Sequence, residues 1–148
     1  PVLGNPANRK RAVSLTPEQF QASFGNALPA EESGRLHELW TIPGPGKPLF
    51  QSALANKTPR KRAATAVDTR TAERGPLLII SGGADRTVPD SVSKATYKLY
   101  GKSAALTEFR EFPDRGHSLT VDSGWSEVAQ AALDWLTKQG IRGQTPSA

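Results

Sequence analysis

The sequence predicts an α/β fold with parallel strands in its second half, and two observations carry that expectation. Pro76-Leu77-Leu78-Ile79-Ile80-Ser81 is a short continuous apolar run bounded by Gly75-Pro76 and Gly82-Gly83, the pattern of a strand covered on both faces. The segments after it read helix, strand, helix, an order that implies a crossover connection and parallel pairing. A chain of 148 residues has room for one domain, but Leu, Ile, Val and Phe total only 30, so a thin core is expected.

Taken in order, the first helix is expected from Thr16-Pro17-Glu18-Gln19. Thr16 can cap, Pro17 suits the first helical position, Gln19 completes a capping box, and Phe20 and Phe24 then share a face. Glu31 and Glu32 favour a second helix start, followed by the apolar stripe Leu36, Leu39 and Trp40. Pro43-Gly44-Pro45-Gly46 should break both helix and strand. Leu49, Phe50, Ala53 and Leu54 suggest one more short helix, and Asn56 to Gly75 reads as a polar surface connection. Pro89-Asp90-Ser91 opens the next helix, with Val92, Ala95, Thr96 and Leu99 as the inner face, Lys94, Lys98 and Lys102 as the outer, and Gly101 as its end. Thr107 to Phe112 is the second strand; Phe109 and Phe112 have opposite parity, so both of its faces are expected to be covered. The last helix carries Trp125, Val128, Ala129, Ala132 and Leu136 on one side and ends near Gly140.

Composition excludes several classes of function. With no Cys there are no disulfides, thiolate metal sites or thiol nucleophiles, and two histidines, His37 and His117, exclude a His-rich metal site. No run approaches the roughly 18 apolar residues of a membrane span, and no signal-peptide pattern opens the chain, so a cytoplasmic location is expected. The net charge of +5 lies wholly in residues 1–75, concentrated in Arg9-Lys10-Arg11 and Arg60-Lys61-Arg62. Such clusters can neutralise phosphates, but no aromatic residue is interleaved for base stacking, and solvated loops are the preferred reading over a nucleic-acid binder.

In open parallel sheets ligands collect beyond the carboxyl ends of the strands. The two loops there read Gly82-Gly83-Ala84-Asp85-Arg86-Thr87-Val88-Pro89 and Pro113-Asp114-Arg115-Gly116-His117-Ser118-Leu119. A carboxylate on one loop and an imidazole on its neighbour form two parts of a proton relay: the carboxylate fixes the ring's tautomer while the other ring nitrogen takes a proton from a nucleophile. The plainer readings are that Asp85 caps a turn and His117 is an ordinary loop histidine. Asp90, Asp114 and Asp122 read as helix-start or turn residues, and each is an alternative partner for His117. His37 reads as an exposed helix residue. Gly82-Gly83 is too short, and lacks a lysine, for a phosphate loop.

Strand, the Gly82 to Pro89 loop, helix, strand, Gly116-His117-Ser118-Leu119 and helix together resemble the C-terminal half of an α/β-hydrolase-fold protein, well over residues 76–138 and more weakly over 15–55, which look like part of a cap. The resemblance implies a partial α/β-hydrolase fold: cap or lid over 1–55, polar linker over 56–75, β-α-β-α core over 76–140 and a tail over 141–148. It makes Asp85 the triad acid and His117 the triad base, with Phe20, Phe24, Trp40, Val88 and Leu119 lining the substrate site, and it implies no cofactor and no metal.

The chain departs from that pattern at the nucleophile. A G-x-S-x-G elbow needs a strand before it and a helix after it. Ser118 in Gly116-His117-Ser118-Leu119-Thr120 has no histidine downstream, and Ser103 in Gly101-Lys102-Ser103-Ala104-Ala105 follows a helix and precedes a strand. The strand that precedes the family's oxyanion loop is missing too. The expectation is therefore a C-terminal portion of a serine hydrolase acting on an ester or similar acyl substrate, inactive as these 148 residues alone, with the serine in an absent N-terminal half. The alternative is a non-catalytic half-fold that assembles with such a half or with its own copy through an unpaired strand edge.

Overall fold

A computed structural model describes residues 2–55 and 66–141. Arg60-Lys61-Arg62, half of the expected linker and nearly all of the expected tail lie outside the described residues.

Two 3-10 helices, Val2–Gly4 and Pro6–Lys10, come first. They are followed by β1 (Ala12–Val13), α1 (Pro17–Ser23), α2 (Ala30–Trp40), β2 (Gly44–Pro45) and α3 (Lys47–Ala55). The second half holds β3 (Leu77–Gly82), α4 (Asp90–Tyr100), β4 (Thr107–Phe112) and α5 (Trp125–Lys138). The fold is mixed α/β. β3 and β4 pair in parallel, Leu77 opposite Thr107 through Gly82 opposite Phe112, while β1 and β2 pair antiparallel. No helix among the described residues is long and apolar enough to cross a membrane.

α1 starts where its capping box dictates. Thr16 Oγ1 accepts from Gln19 N at 3.3 Å and Gln19 Oε1 accepts from Thr16 N at 3.2 Å, satisfying two backbone donors that the helix end leaves free. The Phe20 and Phe24 rings stack with centroids 5.4 Å apart. In α2 only Leu36 of the expected stripe is buried; Leu39 and Trp40 are each 61% exposed, because the seven-residue α1 is too short to cover the whole of an eleven-residue helix. His37 is not an exposed residue: it is half-buried, its Nε2 lies 2.9 Å from the Leu15 carbonyl, and its ring meets that of Phe20 edge-on. The Pro-Gly stretch after α2 ends the helix as expected but does not exclude a strand. Pro45 pairs with Ala12 and Gly44 with Val13, a short ladder in which proline's missing N–H is tolerated.

Parity along β4 places the two helices of the second half. Phe109 contacts Tyr97 and Glu111 pairs with Lys94, both from α4, whereas Glu108 pairs with Lys138 of α5. Odd and even residues point to opposite faces, so α4 and α5 cover opposite sides of the strand pair. The expected phase of α4 is corrected by these contacts. Val92, Ala95 and Leu99 are exposed, Thr96 is half-buried, and the side-chain contacts to β4 come from Tyr97, itself 37% exposed, and the Lys94 ammonium. The Tyr97 ring meets that of Phe109 with centroids 5.6 Å apart, and the Arg74 guanidinium lies 5.4 Å over the Tyr100 ring. On α5 the anchor is Trp135 with Val128, both buried, and not Trp125, which is 53% exposed in the first turn. Trp135 lies seven residues beyond Val128, two turns along the same stripe. β3 is only half-buried from Leu77 to Ile80, since one parallel neighbour cannot cover a strand that reads as fully enclosed.

Candidate active site

The strand register delivers the two loops to one place. Gly82 and Phe112 are opposite residues at the ends of parallel strands, so the chain leaves both at the same edge. The loops are then tied by backbone hydrogen bonds: Gly83 N donates to Phe112 O at 2.8 Å and Ala84 N to Arg115 O at 3.0 Å. Gly82 permits this approach, because a Cβ there would stand 2.5 Å from the Arg115 carbonyl oxygen and 2.8 Å from that of Gly116. The glycine pair excluded as a phosphate loop has a spatial purpose that its sequence did not disclose.

Across this junction His117 Nδ1 lies 2.8 Å from Asp85 Oδ2. The other carboxylate oxygen, Oδ1, accepts from Thr87 N at 2.7 Å and Val88 N at 2.9 Å. The Asp85 side chain is only 7% exposed and is held by three hydrogen bonds, while the imidazole keeps 27% of its surface open. A carboxylate can only accept, so the pairing puts the hydrogen on Nδ1 and leaves Nε2 as the basic nitrogen of the neutral ring. Among the described residues Nε2 has no hydrogen-bond partner. The competing carboxylates are engaged elsewhere or lie apart: Asp90 binds Lys94, Asp122 binds Arg115, and Asp114 is exposed.

A second network fixes the histidine loop. Asp122, 1% exposed, receives the Arg115 guanidinium, the Gly124 N–H at 3.0 Å and the Ser118 hydroxyl at 3.2 Å. Asp122 is thus a buried keystone and not a plain turn residue, and Ser118 is occupied as its donor. No signal in the sequence separated this pair from the other loop charges, since neither spacing nor pattern marks an ion pair closed within a single loop.

The N-terminal segment reaches both loops. Ser118 N donates to Phe24 O at 3.2 Å, Asn26 Nδ2 to Ala84 O at 2.7 Å, and Thr87 Oγ1 to Ser23 O at 3.0 Å. Glu32 of α2 accepts from both the N–H and the hydroxyl of Ser123. Phe24 sets its ring edge-on to His117, centroids 4.6 Å apart. Beside this contact is a cavity of about 400 Å³ whose walls include Phe20, Phe24, Trp40 and Thr87. Phe20, Phe24 and Trp40, named above for a substrate site, are on the walls of this cavity. Val88 and Leu119 do not line it: Val88 contributes its backbone N–H to Asp85, and Leu119 is half-buried within the histidine loop, because the cavity is walled mainly by residues before position 50.

No group of three His, Asp or Glu side chains among the described residues is disposed to hold a metal ion. Comparison with protein-family models, curated proteins and solved structures finds no match.

Proposed function

We propose that this chain supplies the acid and the histidine of a serine-type acyl hydrolase of the α/β-hydrolase kind, with the nucleophile contributed by a segment beyond these 148 residues. The observation that supports it is the 2.8 Å contact between Asp85 Oδ2 and His117 Nδ1 at adjacent strand ends. In this reading a serine hydroxyl approaches Nε2, His117 takes its proton as the oxygen attacks an ester carbonyl, and the same imidazolium then protonates the leaving alkoxide. Asp85 holds the ring in register and stabilises its charged form without itself taking the proton.

The test is reconstitution with the coding region upstream of Pro1. The 148-residue chain alone should not be labelled by a fluorophosphonate. The reassembled protein should be labelled and should hydrolyse a p-nitrophenyl ester, with Asp85→Asn lowering kcat roughly ten-thousandfold. Labelling of the isolated chain, or full ester hydrolysis by the Asp85→Asn protein, contradicts the reading.

A second reading draws on the strand pair itself. Among the described residues β3 and β4 have no further strand neighbours, so both outer edges are unpaired, and this favours a half-fold built to pair with another polypeptide segment.

A further inference from the structure

The hydrogen bond to Asp85 fixes one atom of the His117 ring but not its plane. His117 sits in an irregular loop, with no helix or strand to settle its rotamer, and 27% of its side chain is open to solvent. Water competes for a single hydrogen bond at such a site, and the ring alone would be free to swing from the carboxylate. A second contact is therefore informative. The Phe24 ring stands at 81° to the imidazole with centroids 4.6 Å apart, which leaves the imidazole little room to turn. Phe24 is itself held still: its carbonyl accepts from Ser118 N at 3.2 Å, its N–H donates to Phe20 O at 2.7 Å, and its ring stacks on that of Phe20, which is 7% exposed. The same turn also grips the acid loop, since Thr87 Oγ1 donates to Ser23 O at 3.0 Å and Asn26 Nδ2 to Ala84 O at 2.7 Å.

We infer that Phe24 is a positioning residue for His117: braced by Ser118 N and Phe20, its ring confines the imidazole to the orientation in which Nδ1 meets Asp85 Oδ2. Phe24 thereby has a role besides lining the cavity. That the imidazole so held is a catalytic base rests on the hydrolase reading; the confinement of the ring does not.

The test is NMR of the 148-residue chain, in which His117 and His37 are the only imidazoles. His37, held at 2.9 Å by the Leu15 carbonyl in the same N-terminal segment, reports any general loosening. Phe24→Leu keeps apolar bulk and removes the ring. It should speed exchange of the His117 Nδ1 hydrogen with water by between about twofold and about tenfold, and leave the His37 ring hydrogen unchanged. Phe24→Met, with a more pliant side chain, repeats the measurement should the leucine variant not fold. In the unaltered chain, nuclear Overhauser contacts should join the Phe24 ring protons to those of His117. Absence of those contacts, an unchanged His117 exchange rate in a folded variant, or equal acceleration at His37 overturns the inference. The readout needs neither serine nor substrate. A reconstituted protein that hydrolyses no ester therefore sinks the hydrolase reading alone, whereas unchanged His117 exchange in an active protein sinks this inference alone.

Discussion

Asp122 illustrates how much of a site can rest on a side chain remote from the chemistry. Its carboxylate is 1% exposed and takes hydrogen bonds from Arg115, Ser118 and Gly124, so the turn that presents His117 is closed from within. Removing one partner of such a pair strands the other. Asp122→Ala should lower stability by about 3–5 kcal/mol in urea unfolding, because the largely buried Arg115 is left with the Gly124 carbonyl and, as its nearest carboxylate, the exposed Glu127. A loss below about 1 kcal/mol would show that the loop is held by other contacts. Asp85 and His117 were legible in the sequence because strand-end position singles out a carboxylate and an imidazole. Asp122 was not, since its importance comes from a partner seven positions away in an irregular loop, where no periodicity points to contact.

Among the elements, α4 shows where periodicity misleads. Its apolar residues suggest one face, yet β4 is met by the Tyr97 ring and by the Lys94 ammonium, whose long stem lets a charged residue reach across to the strand. Lys94 reaches Asp90 at 2.5 Å and Glu111 at 2.9 Å, joining α4 to β4. Its hydrogen bond to Asp90 holds that carboxyl below its ordinary value, and bonds to Asp90 and then Glu111 raise the ammonium above its own. A carboxyl with a depressed folded-state pKa contributes stability above its ordinary value and loses it as pH falls through the depressed one. A raised ammonium contributes below its ordinary value and loses it as pH rises through the raised one. Lys94→Met should therefore flatten both the acid and the alkaline limbs of a melting-temperature profile, and unchanged limbs would remove this contact from the account. The start of α1 was readable to the residue, by contrast, because it is set by a local capping box that needs no tertiary partner.

At the scale of the whole molecule the parallel pair β3–β4 bears both loops of the site, yet it stands as a two-stranded sheet among the described residues. The sequence of β3 is that of an enclosed strand while its burial is partial, and Val92 and Leu99 of α4 are exposed. Unsatisfied edges of this kind invite pairing. Size-exclusion chromatography with light scattering should find the 148-residue chain as a dimer or larger, or in complex with a segment that completes the sheet; a strictly monomeric and cooperatively folded chain would contradict the open-edge account. The α/β character was legible because strand and helix alternate along residues 76–140. That β3 and β4 pair with no third strand among the described residues could not be read from a pattern that presupposes one. The claim on which the remainder depends is the hydrogen bond between residues 85 and 117, and nitrogen-detected NMR of the imidazole tests it directly. When the ring is neutral, the hydrogen is expected on Nδ1 of His117, with a downfield Nδ1–H resonance that Asp85→Asn displaces. A ring protonated on Nε2, or a spectrum unaltered by Asp85→Asn, would contradict it.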